Sequence, residues 1–317
     1  MVIDYPRLPA HEIERLLARG RDALDQVSPS FGAVGSRLLE AHAPQQWPVE
    51  WHLPWWLARE LGLPDGVWRE LTVCNLLGLG YVRLKDHLTE QTTAGGLSPG
   101  RQAVLAGAFY EAALAGLSAV FAGMPAFWQR RGVFMAQWLA ALAEDAVPLH
   151  GPGDRWPEQD LLRLAARGAP LKITAAGACL LAGRPEAIPS LESALDHLLT
   201  AQVLLDHLDD WRDDVQAGRF NVFVAYAANG SQSLASEDRA AAMRSVLALL
   251  MTGDPAGYWG HVQRHAARAR ALAAALPCAG LADFIAALQI EAQAGYDALS
   301  GAARSQLAGA VASVLQR

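Results

Sequence analysis

Cysteine is scarce in this chain of 317 residues, and the three that occur, Cys74, Cys179 and Cys278, form no CxxC pair. Neither a disulfide scaffold nor a zinc knuckle is therefore supported. The first residues also lack the basic and apolar stretches of a secretory signal. We therefore expect a protein of the reducing cytoplasm.

Positive charge is scarce as well. The chain has 26 basic residues against 32 acidic ones, which gives a formal net charge of −6. This balance argues against a nucleic-acid partner, because such partners are held by a basic surface. Lysine occurs only twice, at Lys85 and Lys172, and both positions lie beside motifs described below.

Alternating runs of β-branched residues are nearly absent, which argues against strands. Apolar residues instead recur about every 3.6 positions between Gly and Pro clusters, so the chain is predicted to be all-α. No internal repeat and no shift in composition occurs, which favours one helical domain over residues 1–317. Helices are predicted at 9–27, 30–43, 51–62, 66–93, 98–122, 125–147, 157–168, 170–182, 188–217, 236–252, 254–276, 279–300 and 302–316.

The longest uncharged stretch covers residues 112–128 and contains Gly116, Gly123 and Pro125. Its length is marginal for crossing a bilayer of about 30 Å. We expect a buried core helix there and no stable membrane insertion.

The segment 202–219 carries five aspartates, and at 100° per residue they share an arc of about 140° on one helix face. Like charges at these spacings destabilise a helix, and only Arg212 lies among them. A divalent cation such as Mg²⁺, which prefers carboxylate and phosphate oxygens, is the obvious missing partner. A solvated acidic face is the alternative. The five residues are Asp206, Asp209, Asp210, Asp213 and Asp214.

These residues resemble the second aspartate-rich motif of the class I isoprenoid synthases, the all-helical trans-prenyltransferases and terpene cyclases. Asp209, Asp210 and Asp213 occupy the Asp-Asp-x-x-Asp positions, and Gly218 and Arg219 follow at the family's spacing. Lys172 and Thr174 look like the helix whose lysine holds the substrate diphosphate, and residues 103–107 are similar to the family's Ala-Val-Leu-Ala-Gly helix. The likeness covers roughly residues 66–225.

A second register is open. Asp206, Asp210 and Asp214 have the i, i+4, i+8 spacing of the metal triad of terpene cyclases, and both registers place Asp210 on the metal.

The first aspartate-rich motif of the family is altered here. Its place is taken by residues 81–90, in which Asp86 and Glu90 lie one turn apart and Lys85 stands where an aspartate is usual. The resemblance implies that Asp86 and Glu90 bridge a metal ion across from the second motif. An exposed acidic pair on an ordinary helix is the alternative.

The basic elements that bind the acceptor diphosphate in chain-elongating prenyltransferases have no counterpart at 45–51 or 91–96. A second diphosphate needs Arg or Lys partners, so the sequence favours a terpene cyclase, which handles one prenyl diphosphate. The resemblance implies a helical bundle around an apolar cavity and three Mg²⁺ ions with the bound diphosphate. In that site Asp86, Glu90, Asp209, Asp210 and Asp213 are catalytic, Asp206 and Asp214 are further metal ligands, and Lys85, Lys172 and Arg219 bind substrate.

Other interpretations remain open. The protein could prenylate a non-isoprenoid acceptor, condense two prenyl diphosphates head to head as squalene and phytoene synthases do, or be a silent homologue that pairs with an active synthase. A homodimer is an expectation by analogy with the fold.

Several residues outside these motifs also carry expectations. One or two of the ten tryptophans are expected to line the cavity. Arg130 and Arg131 are candidate diphosphate contacts, although such a pair is more often a solvated helix end. His261 and His265, which lack a third ligand, are expected to be exposed.

Overall fold

The protein is described by a computed structural model over residues 5–42, 44, 47–144, 156–228, 239–252 and 256–315. Within these ranges it contains helices and no strand, so the all-α prediction is confirmed. The α-helices are α1 Ala10–Val27, α2 Gly32–Ala41, α3 Pro48–Leu61, α4 Asp65–Thr89, α5 Pro99–Val120, α6 Pro125–Ala143, α7 Glu158–Leu162, α8 Leu171–Leu181, α9 Ile188–Asp209, α10 Trp211–Ala217, α11 Val222–Ala227, α12 Arg239–Thr252, α13 Ala256–Ala274 and α14 Ala279–Leu315. Short 3-10 helices cover Arg163–Gly168 and Pro185–Ala187.

Local chemistry explains where several helices begin and end. Ser98 has extended backbone angles and Pro99 occupies the first turn of α5, where its missing N–H costs no hydrogen bond. Gly62 and Gly218 end α3 and α10 with positive φ angles of 69° and 71°. Glycine adopts this left-handed conformation without the steric cost of a Cβ atom.

The helices pack around three groups of buried apolar side chains. α4 packs against α3 and α5, and α9 packs against α13. Trp51, Trp56 and Trp138 are among the largest side chains that are almost fully buried. Because α4 and α9 carry the two acidic motifs, their packing in the interior holds those motifs on rigid elements.

The acidic helix differs from the prediction of one continuous helix over 188–217. Asp210 has φ −93° and ψ 3°, and it separates α9 from α10. The Asp210 N–H still donates to the Asp206 carbonyl at 2.9 Å, and the Asp214 N–H donates to the Asp210 carbonyl at 3.0 Å. Residues in this sparsely populated backbone region are common at functional sites.

Residues 112–128 belong to two helices, as the predicted helices at 98–122 and 125–147 imply, and not to one core helix. α5 ends at Val120, and a turn with Gly123 at φ 73° leads into α6. Among the described residues, one helix is long enough and apolar enough to cross a membrane. This helix is α5, and 39% of its most apolar part is buried in the protein. Core helices meet the same criterion, so this is weak evidence for a membrane span.

Other boundaries also shift. Residues 279–315 form one helix rather than two, and α11 has no counterpart among the predicted helices. The predicted helix over 157–168 consists of α7 and a 3-10 helix. The residues at 45–46, 145–155 and 229–238, which include predicted turns and helix ends, lie outside the described ranges.

Candidate functional site

A cavity of about 1370 Å³ lies between α4, α5, α6, α8 and α9. Apolar side chains form much of its wall, among them Leu79, Leu117, Met135, Ile173 and Leu199. The acidic side chains of both motifs also line it. They are Asp86 and Glu90 from α4, and Asp206, Asp209, Asp210 and Asp214 from α9, α10 and the residue between them.

Side chains of both motifs line the same cavity and meet at Arg219. Arg219, which follows α10, places its Nη1 atom 3.8 Å from Oε2 of Glu90 at the end of α4. Its Nε donates to Oδ1 of Asp214 at 2.8 Å. One guanidinium therefore connects the carboxylates of both motifs, although they are more than a hundred residues apart in the sequence.

Asp214 is buried, and both of its carboxylate oxygens are engaged. Oδ2 accepts a hydrogen bond from Nδ2 of Asn221 at 2.8 Å, while Oδ1 accepts the bond from Arg219. The left-handed Gly218 turns the chain so that the Arg219 N–H donates to the Asp214 carbonyl at 2.8 Å. Asp214 therefore positions Arg219, and its predicted role as a metal ligand stays a prediction.

Asn221 also holds the neighbouring backbone in place. Its Oδ1 accepts from the Val224 N–H at 3.1 Å and caps α11, and its Nδ2 donates to the His207 carbonyl at 2.9 Å. Nδ1 of His207 accepts from the Val222 N–H at 3.0 Å, so its proton resides on Nε2. Burial lowers the pKa of His207 to about 4, which keeps the ring neutral at pH 7.

The remaining aspartates of the second motif are available for a ligand. In the described part of the chain, no hydrogen bond or ion pair engages the side chains of Asp206, Asp209 or Asp210. Burial raises the pKa of Asp206 and of Asp209, and the charge of Asp210 acts in the same direction. Removing solvent and adding a like charge both disfavour a carboxylate, and a bound cation would reverse both effects.

On the opposite wall, burial raises the pKa of Asp86 to about 6, while Arg83 and Arg167 act against that rise. Over the described ranges, no group of three or more His, Cys, Asp or Glu side chains is close enough to form a complete metal site. Mg²⁺ usually takes only one or two carboxylates and completes its coordination with phosphate and water. The donors therefore fit this ion when a phosphate ligand is present.

Arg83 and Arg167 are site residues that the sequence reasoning missed. The Arg83 guanidinium lies 3.7 Å from the ring centroid of Trp47, and both side chains line the cavity. Burial lowers the pKa of Arg83, while the charges of Asp86 and Glu50 act against this effect. Arg83 lies one turn before Asp86 on the same helix, and this spacing could have predicted from the sequence that Arg83 lies near the first motif. Arg167 lies on a separate segment, and no motif marks it.

Three predicted residues do not line the cavity. Lys172 is buried, and its ammonium donates to Oδ1 of Asp196 at 2.6 Å and lies 5.5 Å from the ring centroid of Phe134. Asp213 is exposed and Lys85 is half-buried. The substrate-binding roles of Lys85 and Lys172 and the metal-binding role of Asp213 stay predictions.

Two expectations about exposure are wrong. His261 and His265 are 2% and 3% exposed because α13 packs against α9, and Nδ1 of His265 lies 3.0 Å from Nδ1 of His197. Arg131 is not a solvated helix end either, since it lines the cavity, whereas Arg130 forms an ion pair with Glu192. Both errors arise from packing between helices that are distant in the sequence.

No protein-family model matches this chain, and no curated protein matches its sequence.

Proposed function

We propose that this protein is a Mg²⁺-dependent terpene synthase with a helical bundle of the isoprenoid synthase type. Its substrate is a linear prenyl diphosphate. The observation that carries the proposal is that acidic groups from α4 and from α9 and α10 line one cavity together with many apolar side chains, and that Arg219 links the two acidic groups. A diphosphate with an apolar tail needs this combination of a charged end and an apolar chamber.

Asp206, Asp209 and Asp210 would hold Mg²⁺ on one wall, and Asp86 and Glu90 would hold it on the other. When bound, the metal supplies Lewis-acid stabilisation for the charge that develops on the diphosphate. The donor chemistry supports this assignment, because these are hard oxygen ligands whose mutual repulsion a cation relieves.

The chain's own cations bind and orient the diphosphate. Arg83, Arg167 and Arg219 line the acidic part of the cavity, and each guanidinium has donors that suit phosphate oxygens. Asp214 holds Arg219 in place through its Nε atom. These charges favour departure of the diphosphate, because they stabilise it more as its negative charge grows.

The apolar wall governs what happens next. The allylic C–O bond breaks, its electron pair leaves with the diphosphate, and the carbocation cyclises before it loses a proton. Leucine and methionine side chains of the wall would keep water from the carbocation, and the ring of Tyr81, which also lines the cavity, would stabilise its charge.

Prenyl transfer to a non-isoprenoid acceptor is the second candidate function. It shares the ionisation step and differs only in what captures the prenyl cation. Arg131 favours this candidate, because it places a cation in the cavity on the separate helix α6.

The test is incubation of the purified protein with geranyl, farnesyl and geranylgeranyl diphosphate, with Mg²⁺ or with EDTA. We expect diphosphate release and a cyclic product from one substrate, only with Mg²⁺. Asp210→Asn lowers the rate by about 100-fold or more, while Asp22→Asn, at an exposed position on α1, matches the wild type.

A further arm with isopentenyl diphosphate separates elongation from cyclisation. Longer linear diphosphates in that arm would contradict the synthase assignment. Absence of diphosphate release in every arm would contradict both candidate functions and favour a silent partner subunit.

A further inference from the structure

Arg131 lies on α6 in an aromatic part of the cavity. Its Nη2 atom donates to the hydroxyl of Tyr110 at 3.1 Å, and its guanidinium lies 5.6 Å and 5.9 Å from the ring centroids of Tyr110 and Trp128. Tyr81 packs on Tyr110 with ring centroids 5.1 Å apart. The guanidinium is thus oriented by a hydroxyl and by aromatic rings.

No acidic side chain offsets the charge of Arg131 within the described residues. Its Nε atom is buried without a hydrogen-bond partner. The adjacent Arg130 differs, because it forms an ion pair with Glu192 outside the cavity wall. A partly buried charge without a counterion is costly, so this position indicates that an anion completes it.

This part of the cavity is separate from the acidic end. Tyr81, which lies beside Tyr110, precedes Glu90 on α4 by about two and a half turns, which is about 13 Å along the helix axis. A diphosphate held near Glu90 and Arg219 therefore leaves the donors of Arg131 unused.

The charge of Arg131 also opposes the proposed reaction unless it is neutralised. An allylic cation in the same apolar chamber repels an uncompensated guanidinium, and the low dielectric of the chamber strengthens the repulsion. An anion bound at Arg131 removes that opposition. Tyr81 and Trp128 make this part of the cavity aromatic, so the guanidinium of Arg131 is its main polar group.

We propose that Arg131 and Tyr110 bind the oxyanion, a carboxylate or a phosphate, of a second reactant that shares the cavity with the prenyl diphosphate. The guanidinium fork matches two oxygens of either group, and the tyrosine hydroxyl supplies one further donor. The identity of the first reactant rests on the proposed function, whereas the anion site rests on Arg131 itself.

This arrangement serves the second candidate function, transfer of the prenyl group to an acceptor. The allylic C–O bond breaks and its electron pair leaves with the diphosphate, while a nucleophilic carbon of the second reactant forms a bond to the allylic carbon. The nucleophilic carbon of the second reactant then gives up its proton to the released diphosphate, so charge and atoms balance.

The test is isothermal titration of the full chain with benzoate, inorganic phosphate and pyrophosphate in separate arms, all with EDTA. Without a divalent cation the aspartates repel anions from the acidic end, but Arg83, Arg167 and Arg219 remain there, so the part of the affinity that is lost in Arg131→Gln reports on Arg131. We expect binding in at least one arm, weakened about tenfold or more by Arg131→Gln and less by Tyr110→Phe. Arg130→Gln is the matched control and retains wild-type affinity.

The arm that binds identifies the anion as a carboxylate or a phosphate. Absence of binding in all arms, or equal affinity in Arg131→Gln and the wild type, would overturn the proposal. Arg131→Lys controls for a folding defect, because lysine keeps the positive charge at this position. It lacks the paired donors of the guanidinium, so we expect an affinity between those of the wild type and Arg131→Gln. Anion binding without Mg²⁺-dependent diphosphate release would refute the proposed function while leaving the Arg131 site intact.

Discussion

Arg219 and Glu90 meet across the cavity, with 3.8 Å between Nη1 of the arginine and Oε2 of the glutamate. The contact joins the end of α4 to the segment after α10. It follows that the altered first motif and the acidic second motif belong to one site. Because Asp214 holds the other edge of the same guanidinium, a change in any of these three residues affects the others.

Loss of Arg219 is expected to weaken both stability and activity. Arg219→Gln leaves the buried Asp214 with only Asn221 as a partner, and we expect unfolding free energy to fall by about 1–3 kcal/mol. Diphosphate release falls with it. Arg212→Gln is the matched control, because Arg212 is exposed on α10 and stacks on Trp211. Urea denaturation of both variants checks this, and equal stability of the two would contradict it.

We expect the charged form of Asp86 to destabilise the folded protein. Its pKa is raised to about 6 by burial, so its charged form is less favourable in the folded than in the unfolded protein. The contribution of Asp86 alone to stability therefore falls as pH rises from about 4 through 6, opposite to the contribution of the buried histidines described below. Asp86→Asn removes this cost, and we expect about 1–2 kcal/mol of added stability at pH 7.5 after allowance for solvent screening.

The same variant loses activity, since the carboxylate that would bind metal is gone. Denaturation of Asp86→Asn and wild type at pH 7.5 and pH 4 measures the difference, which should vanish at pH 4. A variant that is destabilised at pH 7.5 would show that burial does not dominate at Asp86.

The register of the second motif can be decided by two substitutions. Both Asp206 and Asp213 are exposed, but of the two only Asp206 lines the cavity, where it has no hydrogen-bond partner among the described residues. We expect Asp206→Asn to lower diphosphate release at least about tenfold more than Asp213→Asn, because a lost charged contact typically changes a rate by that factor or more. Steady-state rates at saturating Mg²⁺ provide the measurement. The reverse order would favour the Asp209, Asp210 and Asp213 register.

Buried histidines predict sensitivity to acid. Burial lowers the pKa of His52, His207 and His265 to about 4 in each case. The unfolded chain takes up protons near pH 6.5 while the folded chain does not. Stability is therefore expected to fall as pH decreases from about 6.5 to 4 and to level off below that range.

The contribution of one histidine can be isolated with His265→Gln, which removes a titrating group beside His197. We expect a shallower loss of stability between pH 6.5 and 4 than in the wild type, by about 1–2 kcal/mol. His11→Gln, at an exposed position on α1, is the control. Parallel pH profiles for wild type and His265→Gln would contradict this explanation.

The sequence by itself determined the features that depend on neighbouring residues. Apolar periodicity predicted the helices, and Ser98 with Pro99 marked the start of α5, because capping and turn chemistry act over a few positions. The acidic groups Asp86 and Asp210 were predicted on the same local grounds, from their spacing within a turn or two. That both line one cavity was implied only by the family resemblance.

Only the tertiary structure decided the cationic half of the site. Arg83, Arg131 and Arg167 come from three separate segments, and whether each guanidinium faces a cavity, solvent or a carboxylate depends on which helices pack beside it. The same holds for Lys172, whose charge is taken up by Asp196 on a neighbouring helix. Burial and partners depend on contacts between distant parts of the chain, and local sequence patterns carry no information about those contacts.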